Sequence, residues 1–178
     1  MQWLCISGSW RRVNAVMDKM IREKVAATLA AGDGIIAGGA AGVDYIALQE
    51  ALRHDPGARR VRIFIPATPE RYFDHLRRVG PEGRYTLPEM IEPLIAQLQD
   101  LRRRRPAALV GEPAMTEIDQ AAYFLRDGAE IAAADALAAY PARTEKGPGK
   151  GTWDTVRKAW KKGIAVEVHP FDLTRREG

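Results

Sequence analysis

The apolar residues of this chain follow two alternating rhythms, and nothing else in the sequence restricts the fold as much. Trp3 to Ser7 is a short apolar run, after which Val13, Val16, Met17, Met20, Ile21, Val25 and Leu29 recur at helical spacing. Gly32, Asp33 and Gly34 punctuate the end of that helix, and Ile35 and Ile36 read as a buried strand. A second helix follows with Val43, Ile46, Ala47 and Ala51, and then a third strand, Val61 to Ile65, which Pro66 stops. Strand and helix alternating with short connections imply right-handed crossovers. The expected fold is therefore α/β: a Rossmann-like, doubly wound, mostly parallel sheet with helices on both faces.

The middle of the chain departs from the minimal pattern, because two helical segments precede the next strand. The stronger one is expected to start at Thr86, with Glu89 completing a capping box, and to carry Leu87, Ile91, Leu94, Ile95, Leu98 and Leu101 on one face. It reads as one inserted helix, packed either on the sheet or on a second copy of the chain, and the second option makes a homodimer an expectation. A further helix is expected from Thr116, with Asp119 as its capping partner and Ile118, Ala121, Ala122 and Leu125 as its apolar positions. Ala134 to Tyr140 reads as the fourth strand, although its alanines suit a helix equally well. A loop from Pro141 to Gly151, a helix with Val156, Ala159 and Trp160, a last strand from Ile164 to Val168 and a frayed tail complete one domain over 1–178.

Of the 178 residues, 46% are hydrophobic, enough for a real core. The lone Cys5 excludes a disulfide framework and points to a reducing compartment, with the thiol acting as a small buried hydrophobe. No basic leader and no apolar run near ~18 residues is present, so a cytoplasmic protein without membrane contact is expected. The net charge of +4 favours anionic partners without amounting to a nucleic-acid arm. Its densest cluster, Arg102 to Arg105, reads either as a helix end complementing the dipole or as a polyanion contact.

In an open parallel sheet, ligands bind beyond the carboxyl ends of the strands, and three loops of this sequence fall there. The first holds Ser7, Gly8, Ser9, Trp10, Arg11 and Arg12. The second holds Gly38, Gly39, Ala40, Ala41, Gly42, Val43 and Asp44, whose amides and helix dipole can face an anion. It is neither a Walker loop nor a G-x-G-x-x-G fingerprint. Asp44 can stabilise the first helical turn or fix a ligand hydroxyl. The third holds Gly147, Pro148, Gly149, Lys150, Gly151 and Thr152, a phosphate-cradle composition at a helix start. His54, His75 and His169 have no metal-ligand spacing; Mg²⁺ accompanying a phosphate is the one cofactor left open.

These residues carry a resemblance. The run GIIAGGAAGVDYIALQEAL resembles the SGGARGVDxxA segment of the SLOG superfamily, which includes DprA, YspA-like and LOG proteins. FLRDGAEIAAADALAAY is similar to that superfamily's RNxxMVxxADxVIAF, and GPGKGTWDTVRKAWKKGIAVEV to its GGTxxTIxxAxxxGIPV. The resemblance implies a Rossmann-like sheet that binds nucleotides or their derivatives, with Gly38, Gly39, Gly42, Asp44, Gly151 and Thr152 at the site. It also implies Arg126 as a phosphate or ribose contact, although Asp127 stands where the superfamily often has Asn or Lys.

The LOG branch hydrolyses N-glycosidic bonds through a PGGxGTxxE motif. Here Lys150 replaces its second glycine and Thr155 occupies the glutamate position, so hydrolysis would fall to Arg126 and the adjacent Asp154. Three functions follow from this reading. The first is a carrier or sensor of a nucleotide-type small molecule. The second is a phosphoribohydrolase. The third is a DprA-like binder of single-stranded DNA, with Trp10, Tyr72, Phe73, Tyr85 and Trp153 as stacking groups.

Overall fold

The computed structural model describes residues 1–144, 147–148 and 150–173. The chain begins with β1 (Trp3–Gly8) and α1 (Ala15–Ala30), continues through β2 (Gly34–Gly38), α2 (Val43–His54) and β3 (Val61–Ile65), and adds α3 (Pro69–Val79) and α4 (Ile91–Arg104). There follow β4 (Leu109–Gly111), α5 (Gln120–Ala133) and β5 (Ala136–Tyr140). The chain then forms β6 (Ala142–Thr144), β7 (Gly147–Pro148), α6 (Lys150–Lys162), β8 (Ala165–Val168) and β9 (Phe171–Asp172).

Six strands form one sheet in the order β4-β3-β2-β1-β5-β8, and every neighbouring pair is parallel. The sheet is buried on both faces, which explains the unbroken apolar runs of its inner strands. Successive side chains of a strand alternate sides. Thus Ile6, Ile35, Ala37 and Ala138 join a core with α1, α2, α3 and α4, while Cys5, Ile36, Leu137 and Ala139 join another with α5 and α6. Helices therefore cover both faces, as the alternating rhythm predicts.

Local chemistry accounts for several helix ends. The Asn14 side chain accepts the Met17 amide at 2.9 Å and starts α1, and Gly32 at φ +87° lets the chain leave it. The fourth helix differs from expectation. Pro88 and Pro93 restrict the preceding backbone, a 3₁₀ turn occupies Pro88–Met90, and the helix proper starts at Ile91 with no side-chain cap. Thr86 is buried ahead of it and is not its N-cap, which is Met90. Ile91, Leu94, Ile95, Leu98 and Leu101 are all buried within the chain itself, so the stripe that suggested a dimer face is already covered.

The fifth helix starts four residues later than expected, because Asp119 is itself the N-cap, its carboxylate accepting the Ala122 amide at 2.9 Å. Its inward face is also rotated from the expected one. Ala122, Tyr123, Asp127, Glu130 and Ile131 are buried, and Leu125 is 64% exposed. Trp160 on α6 is likewise exposed, while Val156 and Ala159 are buried. Two strand assignments change as well. The short β4 lies ahead of Ala136–Tyr140, and the expected loop after Pro141 contains β6 and β7, which form a small sheet with β9. The expected frayed tail falls at 175–178, outside the described residues.

Candidate functional site

The sheet order reverses at β1: β2 continues on one side and β5 on the other. The connections leaving the adjacent strands β1 and β5 depart in opposite directions, toward β2 and β8, which opens a crevice beyond their carboxyl ends. A cleft of about 260 Å³ lies there. Ser7, Gly8 and Ser9 line it from the end of β1, Asp44 from the start of α2, Arg126 from α5, and Gly151 and Thr152 from the start of α6. Residues from all three sequence loops and from the expected arginine thus meet at one place. Gly149 lies outside the described residues, and Lys150 is described only as the first residue of α6.

The glycines of the second loop serve this cleft indirectly. A Cβ on Gly38 would sit 1.3 Å from Nη1 of Arg126, so the missing side chain is the space that the guanidinium fills. Gly42 has φ +69°, and a Cβ there would lie 2.2 Å from the Ser9 carbonyl. Its neighbour Val43 donates its amide to that carbonyl at 3.0 Å, while the Ser9 amide donates to the Tyr140 carbonyl at 3.1 Å. The β1 loop is therefore held between α2 and β5. Gly39 packs toward Ile65 and Leu98 in the core.

Arg126 is the electrostatic centre. Its Nη1 lies 2.9 Å from Glu130 Oε1 and 3.6 Å from Asp44 Oδ2, and its Nε lies 3.3 Å from Asp127 Oδ1. All four side chains are largely buried, so one guanidinium faces three carboxyl groups in a region of low polarity. Burial raises Asp44 well above the usual carboxylate range against the opposing pull of Arg126. Burial also raises Asp127, opposed by Arg126 and Lys158, and pushes Glu130 up to about 7. Burial works against the Arg126 charge too, but Glu130, Asp127 and Asp44 outweigh it and hold the guanidinium more firmly protonated than usual.

Aromatic groups supply the apolar side of the cleft. Trp10, Tyr85, Tyr123 and Phe124 line it. The rings of Tyr85 and Tyr123 stack at 4.5 Å with 19° between planes, and Arg126 lies 5.7 Å from the Tyr123 centroid. Tyr85 has φ +61°, a left-handed conformation disfavoured for a non-glycine residue. Tyr72 and Phe73 are buried in the core and Trp153 is partly buried against it, so of the five expected stacking groups only Trp10 and Tyr85 reach the cleft.

Asp154 is held by Lys158 and does not line the cleft. Thr155, at the position where the hydrolase motif has glutamate, does line it and donates its hydroxyl to the Gly151 carbonyl at 3.3 Å. Among the described residues no group of three His, Cys, Asp or Glu side chains is arranged to hold a metal ion. The Asp44, Asp127 and Glu130 carboxyls cluster around Arg126, an arrangement that does not fit Mg²⁺. Sequence reasoning missed Asp127, Tyr123, Phe124 and Gln120. Their i, i+3, i+4, i+7 spacing on α5 was the available signal, since it puts all four on one face.

No family model matches the sequence, and no curated protein matches it. Solved structures do match the fold. A structure of DNA processing protein A from Helicobacter pylori, described for its single-stranded DNA binding mode, superimposes with a TM-score of 0.68 at 16% identity, covering 99% of this chain and 67% of that one. The structural-genomics target TM1055 superimposes with a TM-score of 0.54 at 14% identity, covering 93% of this chain and 72% of that one. The fold is thus an α/β, Rossmann-like one shared with both structures.

Proposed function

We propose that this chain binds a nucleotide or nucleotide-derived ligand in the cleft at the sheet reversal, as a carrier or sensor. The observation that carries this reading is the convergence there of three kinds of group: the polar β1 loop, the start of α6 and a set of aromatic rings. A helix start favours a phosphate through its free amides and dipole, and the rings offer a stacking surface for a base. Among the described residues, no atom outside its own helix and chain neighbours lies within 4 Å of a Cβ placed on Gly151, so that side of the helix start has room for a ligand.

A phosphoribohydrolase is less well supported, because Asp154 is committed to Lys158 and Thr155 has no carboxylate to position water. Single-stranded DNA is the second reading, favoured by one observation: the Helicobacter pylori protein of similar fold is described as binding it.

Thermal unfolding with AMP, ADP-ribose, a cyclic dinucleotide and a short oligonucleotide tests the reading. A ligand at a hundredfold its Kd stabilises by about 2.7 kcal/mol. Gly151→Asp is the suitable control, since it fills open space with a like charge at the phosphate end without crowding the core. A mononucleotide shift that Gly151→Asp abolishes is the expected result; no shift with any ligand of the panel would overturn the reading.

A further inference from the structure

The floor of the cleft has a charge balance that suits one part of a nucleotide and not another. Asp44 and Asp127 both line the cleft and both are buried, at 5% exposure each. Among the described residues the guanidinium between them is that of Arg126, which is already shared among Asp44, Asp127 and Glu130. A phosphate placed there would meet carboxyl groups before it met an uncompensated cation. Asp44 Oδ1 is buried and has no hydrogen-bond partner among the described residues, an orphan acceptor of the kind that a ligand donor satisfies. The cationic and helix-dipole groups lie elsewhere on the lining: Arg11 is exposed beside Trp10, and Gly151 and Thr152 begin α6.

We propose that Asp44 and Asp127 are specificity-determining residues that receive an uncharged, hydrogen-bond-donating group of the ligand on the cleft floor, leaving any phosphate at the mouth near Arg11 and the start of α6. This rests on the cleft being the nucleotide site. The donor can be a sugar hydroxyl or the exocyclic amine of a base; both present O–H or N–H to a carboxyl oxygen, and neither brings a negative charge. Arg126 steadies the Asp127 carboxyl, its Nε lying 3.3 Å from Oδ1. The raised carboxyl pKa values agree with a floor that tolerates neutral groups better than anions.

The test measures binding of adenosine and cytidine to the full chain by calorimetry, against inosine and uridine, which lack the amine, and against the 2′,3′-dideoxynucleosides, which lack the 2′- and 3′-hydroxyl donors. AMP is run in parallel. Loss of the recognised donor is expected to weaken binding at least tenfold, and the arm in which this happens names the source. Asp127→Asn replaces an acceptor oxygen by a donor amide at nearly constant shape, and is expected to shrink that discrimination to under threefold. If this variant fails to fold, the wild-type ligand series decides alone. Equal binding of all nucleosides, or full discrimination in a folded Asp127→Asn, overturns the proposal while AMP binding keeps the cleft reading intact. If neither AMP nor any nucleoside binds, the cleft reading fails and this proposal fails with it.

Discussion

Arg126 shows how far one residue's role depends on what surrounds it. The resemblance points to a phosphate or ribose contact, and Glu130 one helical turn later is a visible i, i+4 partner. The approach of Asp44 from α2 is not visible in the sequence, because it depends on the path of a different loop. The resulting cluster makes stability depend on pH. Glu130 has its pKa raised from the ordinary 4.5 to about 7 by burial, so the folded state holds that proton better than the unfolded chain does. Its contribution is full below pH 4.5 and is lost as pH rises through 7, on the order of 3 kcal/mol in all. Glu130→Gln, which cannot lose a proton, is therefore expected to flatten the fall of the unfolding midpoint between pH 5 and pH 7.5. Parallel profiles for the two proteins would show that Glu130 does not titrate in that window.

At the scale of elements, α5 organises the site: Gln120, Tyr123, Phe124, Arg126 and Asp127 all reach the cleft from it. Its start depends on Asp119, whose carboxylate satisfies the Ala122 amide. Asp119→Ala is expected to destabilise the protein by about 1 kcal/mol, read as a lower urea midpoint at unchanged slope. An unmoved midpoint would mean that tertiary packing alone holds this helix start. The helix boundary was misplaced in the sequence reading because Thr116 and Asp119 are both acceptable caps, and the choice between them is made by which face must meet the sheet. The inward face was misread for a related reason. Its buried residues include Tyr123, whose ring packs against Tyr72, His75 and Tyr85, and Asp127 and Glu130, whose carboxyls face Arg126, so hydrophobicity alone selected Leu125 instead.

For the whole molecule, the surplus of positive charge is less available than the count suggests. Arg102 pairs with Glu70 at 2.6 Å, and Arg103 and Arg104 pair with Asp100. Exposed pairs of this kind contribute little to stability, but they leave fewer free cations to release counterions on binding a polyanion. Mononucleotide affinity is accordingly expected to change by less than about threefold between 50 and 200 mM salt, whereas a single-stranded DNA site with 6–10 phosphate contacts would lose about 10³–10⁵. A slope of the second kind for an oligonucleotide would move the DNA reading to first place.

By itself the sequence determined the α/β class, the doubly wound order, most of the buried positions and three loops at one end of the sheet. These follow from local periodicity and from glycine and proline placement, which act over a few residues. Only the tertiary structure decided that Ala136–Tyr140 is a strand, since alanine favours helix and the ladders to β1 and β8 override it. It also decided that α4 packs inward, that Gly38 makes room for Arg126, and that three carboxyls share that guanidinium. Each of these depends on side chains brought together from distant segments, where burial and Coulomb energy outweigh any local preference.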